Sequence, residues 1–119
     1  MKDNNLVVQK SKAFAIRIIH LYQHLTTEKK EFILSKQVIR SGTSIGANVR
    51  ESIRAQSTAD FQSKMQIALK EADETEYWLE LLKETDYISE KAADSMIADC
   101  EEMIRLIAAI VKTSKKKDQ

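Results

Sequence analysis

The chain contains no proline and only two glycines, so it has almost none of the residues that turn or interrupt a helix. Both glycines, Gly42 and Gly46, lie in the stretch SGTSIGANVRES. Because proline breaks helices and glycine weakens them, their scarcity favours long helices joined by very short connections. A length of 119 residues suits one domain with a hydrophobic core.

Apolar residues recur at alternating intervals of three and four along four segments, which is typical of helices packed nearly parallel to their neighbours. The predicted core positions are Val7, Phe14, Ile18, Leu21 and Leu25 in the first segment; Leu34, Val38, Ile45, Val49 and Ser52 in the second; Phe61, Met65, Ala68, Ala72, Thr75, Leu79 and Leu82 in the third; and Met96, Cys100, Met103, Ile107 and Ile110 in the fourth. The pattern predicts helices over about 5–26, 30–56, 58–85 and 90–114, with Ser57 and Ser89 as N-caps of the last two.

The joints between these segments are short, at 26–29, around Ser57 and at 86–89. Short joints force consecutive helices to run antiparallel. The sequence therefore predicts an all-α fold, an antiparallel up-down-up-down four-helix bundle. We expect a single domain over residues 1–119, with frayed termini at about 1–5 and 113–119.

The sequence carries no signal for export or for a membrane partner. No apolar run reaches the roughly 18 residues that a membrane span needs, and the N-terminus MKDNNLVVQK lacks the apolar core of a signal peptide. The single cysteine, Cys100, cannot form an internal disulfide, and it falls on the apolar pattern. We interpret it as a small buried side chain, not a nucleophile, and expect a cytoplasmic protein.

Charge is unevenly distributed along the chain, although the net charge is only +1. Residues 1–56 hold ten Lys/Arg against four Asp/Glu, whereas residues 57–111 hold five against thirteen. A basic first half and an acidic second half predict charge pairing, either within one bundle or between subunits. The overall balance does not by itself indicate nucleic-acid binding.

The two glycines raise the question of a phosphate-binding loop. Such a loop follows a strand and ends in a Lys-Ser/Thr pair or has a G-x-G-x-x-G spacing, and neither is present. On a helix, Gly42 and Gly46 share one edge that has little side-chain bulk. We therefore favour close packing of another helix there over a ligand site.

The other edge of the second helix carries a polar stripe, whose members recur at intervals of four and three. They are Gln37, Ser41, Ser44, Asn48 and Glu51, with Arg40 beside them. A stripe next to the apolar face needs hydrogen-bond partners. We favour a network that fixes the register of the helices, with a ligand site as the alternative.

The polar positions of the second and third segments follow a characteristic order: Gln37, Arg40, Ser41, Ser44, Ile45, Asn48, Val49 and Glu51, then Asp60 and Phe61, then Ala68, Glu71, Glu74, Tyr77, Trp78 and Leu79. Over about residues 6–111 the chain resembles the four-helix-bundle proteins encoded in intervening sequences of bacterial large-subunit ribosomal RNA genes. The family often has glycine after the glutamate, where this chain has Ser52, so the second helix is expected to run further.

The resemblance implies an antiparallel four-helix bundle that assembles as a pentameric ring. It also implies a relationship to the accessory proteins of diversity-generating retroelements, which bind a reverse transcriptase and nucleic acid. Those accessory proteins are strongly basic, whereas this chain is nearly neutral. For most of the family no enzymatic activity is established.

Two pairs of side chains are candidates for chemistry. His20 and His24 have the spacing of a metal-binding pair, but both point away from the predicted core, which favours a surface pair. Glu71 and Glu74 share a face with apolar residues, so a metal-dependent or carboxylate-based hydrolase is the alternative function. We favour a structural pairing of these glutamates with Arg40, Arg50 or Arg54.

Apolar residues outside the predicted core, Val8 among them, indicate subunit contacts. The predicted oligomer interface consists of Ile16, Ile19, Ile67, Glu71, Glu74, Trp78 and Leu81. Trp78 is its expected anchor, because buried aromatic residues dominate interface energies.

The favoured function is an oligomeric interaction or scaffold protein, not an enzyme. The candidate partners are RNA, an RNA-dependent polymerase or another protein, with Arg50 and Arg54 as candidate nucleic-acid contacts. We expect no catalytic residue, cofactor, metal or small-molecule substrate.

Overall fold

The chain forms four helices in a computed structural model that describes residues 2–117. They are α1 (Lys2–Thr27), α2 (Leu34–Ile53), α3 (Thr58–Glu84) and α4 (Glu90–Lys117). Each helix packs against the next, and α4 returns to α1 through a sparser contact. Across residues 2–117, no Cα atoms of the diagonal pairs α1/α3 and α2/α4 approach within 8 Å. The predicted all-α four-helix bundle is confirmed, and it measures 49 × 21 × 19 Å.

The apolar pattern identified the core correctly. Every predicted core position is buried except Leu34 and Phe61, which are half-buried against the same cluster. Ile88, Ala93 and Val111 complete the core. The alternating spacing therefore translates directly into a continuous apolar seam along the bundle.

The helix termini extend somewhat further than predicted. Residues 2–5 are the first turn of α1, and residues 113–117 continue α4. Of the termini expected to fray, residues 1, 118 and 119 lie outside the described part of the chain.

The start of α2 differs from the prediction because Glu31 caps it from outside the helix. Lys30 has a φ of 53°, which prevents a continuous helix through this joint. The Glu31 carboxylate then accepts hydrogen bonds from the backbone N–H groups of Ile33, Leu34 and Ser35, at 3.2, 3.0 and 2.7 Å. Burial opposes ionisation, but the bonds from Leu34, Ser35 and Ile33 outweigh it and lower the pKa of Glu31. The helix therefore begins at Leu34 and not near residue 30.

The end of α2 also differs from the prediction. The helix continues one residue past Ser52 and ends at Ile53, short of the predicted end near residue 56. The backbone N–H of Arg54 donates to the Glu51 carbonyl at 3.2 Å, which tightens the last turn. Ser57 then adopts an extended conformation and accepts the N–H of Asp60 at 3.1 Å, which confirms it as the N-cap of α3.

Ser89 is confirmed as the corresponding cap of α4. Its hydroxyl oxygen accepts the backbone N–H of Ala92 at 3.1 Å. Both caps satisfy N–H groups that a helix leaves without internal partners.

The glycine edge of α2 lies against α1, which confirms the close-packing interpretation. A Cβ atom placed on Gly42 would come within 2.7 Å of Ile18 Cγ1, and one placed on Gly46 would come within 3.3 Å of the Ser11 hydroxyl oxygen. Ile18 and Ser11 are both fully buried, so neither has free space to move into. The missing side chains are therefore what allows α1 to approach α2 this closely.

Helices α3 and α4 meet along an acidic border. The pKa of Glu76 is raised to about 7, and burial is the largest cause. The hydrogen bond and charge of Glu101 come next, followed by the charges of Glu80 and Asp73. When two carboxyl groups lie close together, the negative charge of one makes ionisation of the other less favourable. Near neutral pH, Glu76 therefore retains a proton for much of the time.

Cys100 lies beside this border, inside the core. Its thiol donates a hydrogen bond to the Ala72 carbonyl at 3.2 Å. Burial first, and then the nearby carboxylates led by Glu76, raise the pKa of the thiol to about 12. The interpretation of Cys100 as a buried side chain and not a nucleophile agrees with this environment.

We expect Gly42→Ala to destabilise the fold. The added methyl group would overlap with Ile18, and this overpacking should exceed the roughly 1 kcal/mol that alanine gains in helix propensity, leaving a net loss of about 1–2 kcal/mol. Chemical denaturation measures the difference. Gly46→Ala is the matched control, because its nearest contact of 3.3 Å requires a much smaller shift. Equal stability of Gly42→Ala and wild type would contradict the close-packing argument.

We expect the free energy of unfolding to fall as the pH rises from about 5 to 8. In this window the folded protein holds a proton on Glu76 that an unfolded chain, with an ordinary carboxyl pKa, has released. Glu76→Gln keeps this position neutral, so the variant should be the more stable protein at pH 8 and should show a flatter pH profile. Glu84→Gln, at an exposed position of the same helix that is not among the causes of the raised pKa of Glu76, is the control. Parallel pH profiles for wild type and Glu76→Gln would refute this assignment.

Candidate functional site

Arg40 joins α2 to both of the glutamates that were candidates for chemistry. Its guanidinium donates to Glu71 at 3.1 Å and also contacts Glu74. Glu74 accepts a second hydrogen bond, 2.9 Å long, from the indole N–H of Trp78. A weaker contact of 3.5 Å runs from the guanidinium to Gln37. The structural pairing of these glutamates is confirmed, with Arg40 as the partner.

This arrangement gives no support to the hydrolase alternative. An acid–base pair needs one carboxyl that is free to accept or donate a proton, whereas Glu71 and Glu74 both bind the same guanidinium. Across residues 2–117, no group of three or more His, Cys, Asp or Glu side chains is placed to hold a metal ion.

Two members of the polar stripe, Ser41 and Glu51, reach α3, as expected of a network that fixes the register of the helices. The buried hydroxyl groups of Ser41 and Thr75 are hydrogen-bonded across the two helices, with 2.8 Å between their oxygens. Glu51 forms an ion pair with Lys64 of α3 at 3.0 Å. Ser44 and Asn48 instead donate to carbonyl groups of α2 itself, at 2.7 and 2.9 Å. No buried side-chain N or O atom in the described chain lacks a hydrogen-bond partner, so the stripe is satisfied without a ligand.

Arg50 and Arg54, the candidate nucleic-acid contacts, are placed differently from Arg40. Both are exposed, and neither forms an ion pair with any residue in the described range. Ile53, between them in the sequence, is 47% exposed. The arginines of this region therefore divide into one that binds α3 and two that face solvent.

Two basic residues of α1 are used within the bundle. Lys10 pairs with Glu102 of α4 at 3.1 Å, and Arg17 pairs with Asp99 and donates to the Ser95 hydroxyl. Together with Arg40, these contacts connect the basic first half of the chain to its acidic second half. Part of the charge asymmetry is thus neutralised within a single bundle.

The apolar members of the predicted oligomer interface differ in how much surface they expose. Ile16, Ile19 and Ile67 are 47%, 39% and 40% exposed. Trp78 and Leu81 are half-buried, and Trp78 packs against the core of the bundle. The isoleucines are therefore more available to a partner than the tryptophan that was expected to anchor the contact.

An open groove of about 690 Å³, which the sequence did not predict, lies between α1 and the beginning of α4. Its walls include His20 and His24, and its floor is formed by Leu21, Ile88 and Met96. Both histidines are exposed, as expected for a surface pair. The periodicity of a single helix cannot reveal this groove, because it arises from the sparse contact between two helices that are distant in sequence.

None of the described helices is long and apolar enough to cross a membrane. No curated protein matches the chain. A crystal structure of a protein of unknown function from the S23 ribosomal protein family of Bacteroides thetaiotaomicron VPI-5482 is similar, with a TM-score of 0.91 and 55% sequence identity over 92% of this chain and 98% of that chain. A family model described as 23S rRNA-intervening sequence protein matches residues 3–109. In agreement with the order of polar residues along α2 and α3, the chain belongs to the 23S rRNA-intervening sequence protein family.

Proposed function

We propose that the protein is a self-assembling scaffold that binds RNA in the cytoplasm, and that it is not an enzyme. The observation that carries this proposal is the outer surface of α2. Arg50 and Arg54 are exposed there without an ion pair, and Glu51, which is the sole carboxylate in Leu34–Ile53, is bound by Lys64. This surface is therefore cationic even though the whole chain is nearly neutral.

Arginine is well suited to this role. Its planar guanidinium presents donors in a fork that matches two phosphate oxygens. The acidic border of α3 and α4 would repel a phosphate backbone, so the side of the bundle formed by α2 is the favoured contact surface. Two arginines alone bind phosphate weakly, and useful affinity requires several copies of the surface.

Assembly would supply those copies. When a neighbour covers the exposed isoleucines on α1 and α3, apolar surface is removed from water, which is favourable. A basic side formed by α1 and α2 and an acidic side formed by α3 and α4 are complementary, which favours a head-to-tail contact between identical subunits. Contacts of this type close into rings when the rotation permits, and the family resemblance suggests five subunits. A ring would repeat the α2 surface once per subunit, so weak contacts would add through avidity.

We expect light scattering to show a mass several times that of the 13.6 kDa chain. Ile16→Glu combined with Ile67→Glu should shift the protein toward monomer, because a buried unpaired charge is costly. Gln56→Glu, which adds one negative charge at an exposed position of the α2–α3 connection, is the control. A wild-type protein that remains monomeric at tens of micromolar, an order of magnitude suited to obligate contacts, would contradict self-assembly.

We expect Arg50→Glu combined with Arg54→Glu to weaken binding of a fluorescently labelled single-stranded RNA at least tenfold, with the oligomer intact. Binding by wild type should also weaken steeply between about 50 and 200 mM salt, because phosphate contacts release counterions. Lys91→Glu combined with Arg105→Glu makes the same charge change at exposed positions of α4 and is the matched control. The proposal fails if wild type retains no RNA at the lower salt, or if both double variants lose binding equally.

A further inference from the structure

One end of the bundle carries an exposed apolar tip and, on another side, the open groove. The tip consists of Phe32 and Ile33, which are 53% and 76% exposed in the connection between α1 and α2. The groove lies between α1 and the beginning of α4. Neither feature belongs to the interface that the sequence predicted.

The tip is held rigidly by the chain around it. The buried Glu31 carboxylate accepts the N–H groups that follow it, and the Glu31 backbone N–H donates to the Leu25 carbonyl at 2.8 Å. The Ser35 hydroxyl donates to the Glu31 carbonyl, also at 2.8 Å. Two large apolar side chains are thus presented to water on an ordered loop. Docking such a loop costs little conformational entropy, while covering its side chains is favourable.

The groove offers a matching surface. Leu21, Ile88 and Met96, which are apolar and belong to the buried core, are among the residues that line it. The groove is open to solvent, and its volume of about 690 Å³ leaves room for two apolar side chains.

The positions of the two features suit a ring. A rotation about an axis parallel to the bundle keeps every residue at its own height, so a tip and its receptor must lie at the same end of the subunit. The tip follows the last turn of α1, and the groove includes His24 and Lys29 near that same turn. Helices α2 and α4 both contact α1 but not each other, so the α1–α2 connection that carries the tip and the α1–α4 groove lie on different sides of α1.

Charges beside the two features are complementary. Lys30 and Lys36 lie next to the tip in the sequence and are exposed, whereas Asp86 and Glu90 line the groove together with Lys29 and with Arg17, which is already paired with Asp99. The first four of these residues form no ion pair with any residue in the range 2–117. Docking of the tip would bring these two pairs of opposite charge together.

We infer that the Phe32–Ile33 tip of one subunit inserts into the α1–α4 groove of a second copy of this chain. This inference rests on the proposed self-assembly and specifies which surfaces meet. The contact is head-to-tail, because each subunit contributes its tip to one neighbour and its groove to the other.

Directed cross-linking tests the contact. Ile33→Cys in one chain and His24→Cys in the other, both in a Cys100→Ala background, are co-expressed with different tags and mildly oxidised. A disulfide requires Cα atoms within about 7 Å, so it reports direct apposition. We expect a cross-linked dimer from the mixed pair and at least tenfold less from either variant alone.

Gln23→Cys paired with Ile33→Cys is the matched control, because Gln23 is the neighbour of His24 in the sequence and is exposed, but does not line the groove. Light scattering on the same samples separates the two hypotheses. Assembled protein without selective cross-linking at His24, or with equal cross-linking at Gln23, overturns the docking inference and leaves self-assembly standing. A monomeric protein overturns both.

Discussion

The close contact between α1 and α2 determines much of the remaining architecture. Gly42 and Gly46 remove side-chain volume where Ile18 and Ser11 of α1 are buried, so these two helices approach closely. Helix α2 packs extensively against α3 as well, so it ties α1 to the rest of the bundle. The contact between α1 and α4 is sparser, and the groove opens there.

Some basic residues form ion pairs within the bundle, whereas others face solvent. Arg40, Arg17 and Lys10 reach carboxylates of α3 or α4 and stabilise neighbouring helices, although partly exposed ion pairs of this kind contribute less than about 1 kcal/mol each. Partial burial of a carboxyl group among the acidic residues of α3 and α4 has a cost, which is visible in the raised pKa of Glu76. The concentration of free arginine at the end of α2 is its counterpart on the basic side. Both are features that a partner of opposite charge would relieve.

The features that were predictable from sequence are those set by periodicity and by standard caps. The buried seam followed from the intervals of three and four, and Ser57 and Ser89 are caps of the common hydroxyl type. The predicted span of α2 was too long at both ends. At its start, Glu31 caps the helix from three residues before it, and at its end the N–H of Arg54 closes a tighter last turn. Rotation of the helices about their axes decides two further features. It selects Arg40 and not Arg50 as the partner of Glu71, and it leaves Trp78 half-buried. The groove depends on their separation, and neither quantity is encoded in the pattern of one segment.

The places where local rules fail are informative about function, because a fold tolerates such exceptions only when something compensates for them. Within a single subunit, the buried Glu31 is compensated by its hydrogen bonds, and the glycines are compensated by close packing. No such compensation is visible in the described chain for the exposed Phe32 and Ile33, or for the solvent-facing Arg50 and Arg54. Phe32 and Ile33 offer an apolar surface to a partner, whereas Arg50 and Arg54 offer a cationic one. In the proposed assembly, self-contact at the tip and RNA at the end of α2 would each cover one of these surfaces, which is the arrangement expected of a scaffold.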